Sequence, residues 1–336
     1  MIPEAVLDAY ASARRHAGLI DRSDRGRIVV SGRDRASYLQ GLLTNDITAL
    51  KAGEGCYAAY LTPQGRMITD LSVYELGDVI LITLGLTETD ALLAKLDQFI
   101  FSEDVQLGDV TKTFFGLAVV GPESARIVSA VLDPSPSVLP SLADEGNLRA
   151  RFGGQPAIVL RISDTGEPGY EVLVEASQRD GLAAAFRALG ATDLDPAVAD
   201  VLRIEAGIPK FHRDMDEETI PLEAGIEARA ISLTKGCYVG QEVIIRVLHR
   251  GHGRVARKLV GLTLDGAVAP PTGTPVDVGG REIGRTTSSC ISPALHRPIA
   301  LAYLHRDFLE PGARVSVNGV GATVAALPFV ERARPT

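Results

Sequence analysis

Cysteine is scarce in this 336-residue chain: Cys56, Cys237 and Cys290 lie far apart, and none belongs to a CxxC pair. That makes a disulfide framework improbable, and with it a complete four-cysteine zinc or cluster site within one chain. Ligands for any metal or cluster would have to come in part from another molecule. Long apolar runs are also missing. The longest, VILITLG at 79–85, is strand-sized and far from the roughly 18 residues that a membrane helix needs. The opening MIPEAVLDAY carries Glu4 and Asp8 and has no signal-peptide core, so a cytoplasmic location is expected. There is no surplus of positive charge: 34 Lys and Arg stand against 42 Asp and Glu, a net −8. This argues against a dedicated nucleic-acid or membrane-surface binder. No short fixed period repeats, which sets aside solenoids and propellers.

What is present is a globular composition, 46% hydrophobic and 23% charged, with enough apolar material for two or three domains. Strand-like stretches recur: GRIVVSG (26–32), GCYAAYLT (55–62), LSVYEL after Asp70, DVILITL (78–84), PAIVLRIS (156–163) and YEVLVE (170–175). Their Val, Ile and Tyr content suits pleated sheet. TETDALLAKLDQFI (87–100) places Leu92, Leu93, Leu96, Phe99 and Ile100 on one helical face. DPAVADVLRIEAG (195–207) starts with Asp195 as a cap and Pro196 in the first turn. Strands and helices do not alternate regularly, so the expected fold class is α+β. From about 258 onward the chain reads as strands joined by glycine turns. The expected division is a region at 1–257 followed by an all-β domain at 258–336.

The segment KGCYVGQE, Lys235 to Glu242, is the most distinctive. Glycines flank Cys237 and Tyr238 and permit tight turns. A thiol beside Lys235 would be favoured as thiolate, more nucleophilic and a better metal ligand. Taken alone, a single cysteine reads more often as a packed, inert residue. His249 and His252 have metal-compatible spacing but no cysteine or carboxylate company. Arg246, Arg250, Arg254, Arg257 and Lys258 make the densest positive run, either an anion-binding rim or a solvated turn. Cys56 and Cys290 read as structural.

KGCYVGQE resembles the signature of the YgfZ-like folate-binding proteins, a branch of the glycine-cleavage T-protein (aminomethyltransferase) superfamily that assists iron–sulfur protein maturation. YLQGLLTNDI (38–47), GRMITDLSVYEL (65–76), TGEPGYEV (165–172), LRIEAGIPKF (202–211), TIPLEAGIE (219–227), REIGRTTSSCISPAL (281–295) and LPFV (327–330) resemble the superfamily in order and spacing. The resemblance implies a three-lobed ring of the aminomethyltransferase type with a C-terminal barrel. It implies tetrahydrofolate in the central hole, and as partners iron–sulfur assembly or carrier proteins and client [4Fe–4S] enzymes.

Residue by residue, the resemblance places Glu171 as the carboxylate that accepts from the pterin edge and Asp70 as the aspartate nearest the reactive pterin nitrogen. Cys237 becomes the reactive group, with Lys235 and Tyr238 beside it at the folate site. Read without it, Glu171 is a charge on a strand face and Asp70 a turn residue. The family arginine before the LRxEAG helix is replaced by Ala199; Arg203, one turn later, is the expected substitute contact. Three functions follow. The first is a folate-dependent maturation factor without classical turnover. The second is an aminomethyltransferase acting on tetrahydrofolate, and the third a non-catalytic adaptor.

Overall fold

The computed structural model describes residues 3–133, 135, 137–249 and 254–331. Arg250 and His252 lie outside them. The architecture is α+β followed by all-β, in three lobes.

The first lobe is a five-stranded antiparallel sheet. Its order is Gly55–Leu61, Met67–Glu75, Ile80–Gly85, Arg25–Ser31, Gln106–Asp109. Alternation along each strand sorts the side chains between two faces. Ile28, Val30, Leu71, Val73, Ile82 and Leu84 point one way, into a core closed by Leu39, Leu42, Leu92 and Leu96 of the helices Arg35–Leu42 and Thr89–Asp97. The apolar stripe at 87–100 thus does pack, but the helix is shorter than its periodicity suggests and Phe99 is exposed.

The second lobe is a six-stranded sheet in the order Thr192–Asp193, Gly18–Asp21, Phe114–Val120, Gly169–Glu175, Gln155–Ile162, Asn147–Phe152. Tyr170, Val172 and Val174 bury one face against Leu182, Phe186, Ile127 and Val128 of the covering helices. The opposite faces of the two sheets meet. Tyr74 and Leu81 of the first pack on Ala118, Val120, Leu160 and Leu173 of the second.

The third lobe is a closed six-stranded barrel beginning at Arg257–Leu264. The helix Pro196–Glu205 fastens it to the rest. Asp195 caps that helix by accepting from the Ala197 N–H at 2.8 Å. At its far end the fully buried Glu205 accepts from Tyr10 Oη at 2.6 Å, from Arg14 and from Ser292 of the barrel. One carboxylate therefore ties the N-terminal helix and the barrel to the connecting helix.

Arg203, on the same helix, turns its guanidinium toward the barrel. It is 5% exposed and donates to Asp214 Oδ2 (2.7 Å), to the Ile208 carbonyl (3.1 Å) and to Ser288 Oγ of the barrel (2.8 Å). The i, i+4 relation to Ala199 misled because the guanidinium turns toward the barrel, where Asp214 neutralises it. Ala199 itself packs against the inter-sheet core.

Candidate functional site

Where the apolar contact between the two sheets ends, charged residues take over the same faces. Val29 and Arg27 succeed each other on one face of Arg25–Ser31, Tyr74, Ser72 and Asp70 follow in turn on one face of Met67–Glu75, and Leu173 and Glu171 succeed each other on the strand across the gap. Strand alternation thus delivers Arg27, Asp70 and Glu171 to a single central region. The turn after Gly18–Asp21 adds Arg22, and Asp164 arrives just beyond the Gln155–Ile162 strand.

Asp70 accepts a 2.8 Å hydrogen bond from Tyr57 Oη. Tyr57 sits diagonally across the strand pair, since Tyr57 is opposite Ser72 and Ala59 opposite Asp70. Burial pushes the Asp70 carboxyl up, against the opposing pull of the Tyr57 hydroxyl and the Arg25 charge. Burial and the adjacent carboxylate also raise Tyr57 well above the usual phenol range, so the phenol is a proton donor here. The Arg229 guanidinium lies 4.9 Å over the Tyr57 ring and reaches Ser163 Oγ (3.2 Å) and Glu145 Oε1 (3.4 Å). Burial lifts Glu145 up to about 7.

Across the gap, Glu171 is 1% exposed, and its two oxygens are held by Arg27 Nη2 at 2.8 Å and Arg22 Nε at 3.3 Å. Arg22 pairs in addition with Asp164 at 2.7 Å. Burial works against ionisation of Asp164, yet Arg22 and Arg25 hold its carboxyl below the usual range. Asp70 and Asp164 both keep some solvent-accessible area, and the Asp164 side chain is 41% exposed. Asp164 Oδ1 and Arg25 Nε have no hydrogen-bond partner. With both oxygens held by arginines, the Glu171 carboxylate is not the free acceptor expected for a pterin edge. Tyr57, Asp164, Arg25 and Arg229 escaped the sequence reading, although the placing of Tyr57 two positions before Ala59 offered a signal once the hairpin was assigned.

The KGCYVGQE segment is divided between inside and outside. Lys235 Nζ is buried and donates to the carbonyls of Gln40 (2.6 Å), Leu43 (2.6 Å) and Asn45 (2.8 Å). Burial draws its ammonium down to about 8, while three carbonyl acceptors favour the charged form. Tyr238 is buried among Leu61, Met67, Leu222 and Ile244, with Lys235 Nζ 5.1 Å from its ring centroid. Both side chains point into the protein, and the Lys235 charge is spent on carbonyls rather than on the thiol. Cys237 is exposed. Burial pushes the Cys56 and Cys290 thiols up to about 12. Among the described residues no group of three or more His, Cys, Asp or Glu is placed to hold a metal ion. Nor is any helix among them long and apolar enough to cross a membrane.

Comparison with known proteins fixes the lineage. Residues 2–235 match the GCVT N-terminal domain, and residues 257–331 match the glycine cleavage T-protein C-terminal barrel domain. The chain is 34% identical over 330 residues to an aminomethyltransferase of Rubrobacter xylanophilus, covering 97% of this chain and 86% of the relative. It is 32% identical over 336 residues to the aminomethyltransferase of Streptomyces coelicolor, covering 97% and 89%. A crystal structure of the glycine cleavage system aminomethyltransferase T from Bartonella henselae superimposes with a TM-score of 0.87 at 24% identity, over 97% of this chain and 90% of the other, which establishes the fold. These relatives are aminomethyltransferases, so the expected iron–sulfur maturation role, its YgfZ-like assignment and its assembly or client partners are corrected. The signature misled because its inward-facing residues serve packing. Two domain matches that together span nearly the whole chain, and full-length relatives above 30% identity, place this protein in the glycine cleavage T-protein family.

Proposed function

We propose that the protein is an aminomethyltransferase that moves a one-carbon unit from an aminomethyl-lipoyl carrier protein of a glycine cleavage system to tetrahydrofolate. The observation that carries the reading is Asp70. It is a carboxylate hydrogen-bonded to a phenol and pushed up by burial, and in this reading it steadies the charge that develops on a reacting nitrogen. Tetrahydrofolate fits the residues present. The unpartnered Asp164 Oδ1 offers an acceptor and the unpartnered Arg25 Nε a donor, the two valences that a pterin edge requires. Bound there, it supplies the nitrogen nucleophiles that take up the one-carbon unit.

The protein's own residues do the rest. Asp70 orients the acceptor and steadies positive charge, Tyr57 fixes the Asp70 rotamer, and the Arg22–Arg27–Glu171 cluster holds the opposite wall. The two α+β lobes at 1–257 form this site, and the barrel at 258–336 closes the ring. Cys237 stays an exposed residue outside the reaction.

Turnover of aminomethyl-lipoyl carrier with tetrahydrofolate, followed as methylene-tetrahydrofolate formed, tests the reading. Asp70→Asn is expected to lower kcat by about 10²-fold or more while tetrahydrofolate still binds. Absence of turnover in the wild type would sink the proposal.

A further inference from the structure

We propose that Glu88 and His212 form a proton relay between the central site and solvent, a role that rests on the aminomethyl-transfer reading. The geometry begins with a missing side chain. Continuing the register in which Ser72 faces Thr83 brings Asp70 opposite Gly85, and Gly85 is itself opposite Arg25. All three positions share the site face, with Asp70 and Arg25 about 10 Å apart across two strand spacings. A Cβ on Gly85 would collide with Glu88 Oε2. The Glu88 carboxylate therefore lies on that face, between Asp70 and Arg25, in space that only a glycine leaves open.

The other Glu88 oxygen, Oε1, meets His212 Nε2 at 2.9 Å and also accepts from Thr87 Oγ1. Exposure runs in one direction along the pair: 12% for the Glu88 side chain and 48% for His212. His212 holds a left-handed φ of +60°, fastened by its N–H to the Met215 carbonyl at 2.7 Å. A non-glycine residue takes up that conformation at a cost, and such strain gathers where a side chain has a task. The charged groups around the pair are Asp70 and Arg25 on the sheet, the Lys210–Asp24 ion pair at 3.6 Å, and Arg213 beside His212. The Glu88 charge reaches Asp70 and helps to raise its carboxyl.

The reaction gives such a relay work to do. Two new C–N bonds join the one-carbon unit to N5 and N10 of tetrahydrofolate, and each nitrogen releases one proton. The electron pair of the broken C–S bond leaves with sulfur and that of the broken C–N bond leaves with ammonia. These two leaving groups take up the two protons, so no oxidant or reductant enters. Asp70 can hold one proton at a time. Glu88 supplies a second carboxylate on the same face, and His212 exchanges its proton with water and returns one to a leaving group. Imidazole suits that exchange because its ordinary titration range lies near neutrality.

The test uses the full-length chain with tetrahydrofolate and aminomethyl-lipoyl carrier. In His212→Asn the new residue tolerates the left-handed backbone, so thermal unfolding should match the wild type. The KM for tetrahydrofolate should hold within about twofold and kcat should fall about 10²-fold. Added imidazole should restore part of the loss, and the acid limb of the pH–rate profile should move. Glu88→Gln should lose a similar factor without imidazole rescue. Wild-type kcat and pH profile in a folded His212→Asn protein would overturn the relay and leave the aminomethyl-transfer reading standing. A loss in His212→Asn that imidazole does not touch overturns it too. No turnover in the wild type overturns both.

Discussion

Replacing Glu171 should damage the fold before it damages the chemistry, and the size of the effect can be worked from its partners. Its side chain and that of Arg27 are each 2% exposed, and that of Arg22 is 9%. In Glu171→Ala, Arg22 keeps Asp164 at 2.7 Å. Arg27 keeps only two carbonyls, of Arg22 at 3.2 Å and of Arg25 at 3.3 Å, and no carboxylate. One buried guanidinium is thus left uncompensated, a loss of about 3–5 kcal/mol. Glu171→Gln retains a neutral acceptor for Arg27 and should cost about 2 kcal/mol. The double replacement Arg27→Met with Glu171→Leu removes both charges and should recover most of the loss, because well-packed apolar groups often match a buried ion pair. Urea unfolding at pH 7, with slopes compared so that only midpoints carry the difference, measures all three. A cost below about 1 kcal/mol for Glu171→Ala, or a double variant no better than the single one, would refute the reasoning.

Glu145→Gln should change how stability varies with pH. Burial raises the folded-state carboxyl from the ordinary 4.5 to about 7, so between those values the folded chain binds more protons than the unfolded one. Wild-type stability should therefore fall as pH rises through that window, by at most about 3 kcal/mol, and calorimetry should find the fall absent in the glutamine variant. Lys235→Met should cost about 2–4 kcal/mol, since three buried or half-buried carbonyls lose their common donor. An unchanged urea midpoint would show those bonds to be dispensable.

Much of the fold was legible because alternation and turn residues act locally. The strands at 26–32, 55–62, 78–84, 156–163 and 170–175 all form, and the Asp195–Pro196 start of the connecting helix is as its capping chemistry dictates. The site was legible only in outline. The pairing of Glu171 with Arg22 and Arg27 joins residues 149 and 144 positions apart, and no local pattern foretells it. Arg203 shows the same limit from the other side. Helical spacing fixes which side of a helix a residue occupies, whereas its partner, Asp214, is chosen by how the barrel docks. Glu88 was hidden for a different reason: it sits in a helical stretch read for its leucines, and its relevance depends on Gly85 lacking a side chain.

The KGCYVGQE segment can serve aminomethyl transfer without taking part in it. Lys235 Nζ holds the Asn45 carbonyl at 2.8 Å, and Asn45 Nδ2 in turn donates to the carbonyls of Tyr57 and Arg229, both at 2.9 Å. Arg229 lies against the Tyr57 ring, and Tyr57 Oη reaches Asp70. A buried lysine therefore stands one residue away from the backbone that positions the phenol and two away from Asp70. Each link is a static contact, and each fixes a rotamer or a carbonyl direction rather than carrying a signal. A catalytic carboxylate displaced by about 1 Å loses about 10²-fold in rate, so residues that never touch the substrate are still held to narrow geometry. Gly240, with a left-handed φ of +84° and no room for a Cβ beside the Thr62 carbonyl, sets the turn after Tyr238, while the Cys237 thiol between the two inward side chains faces solvent.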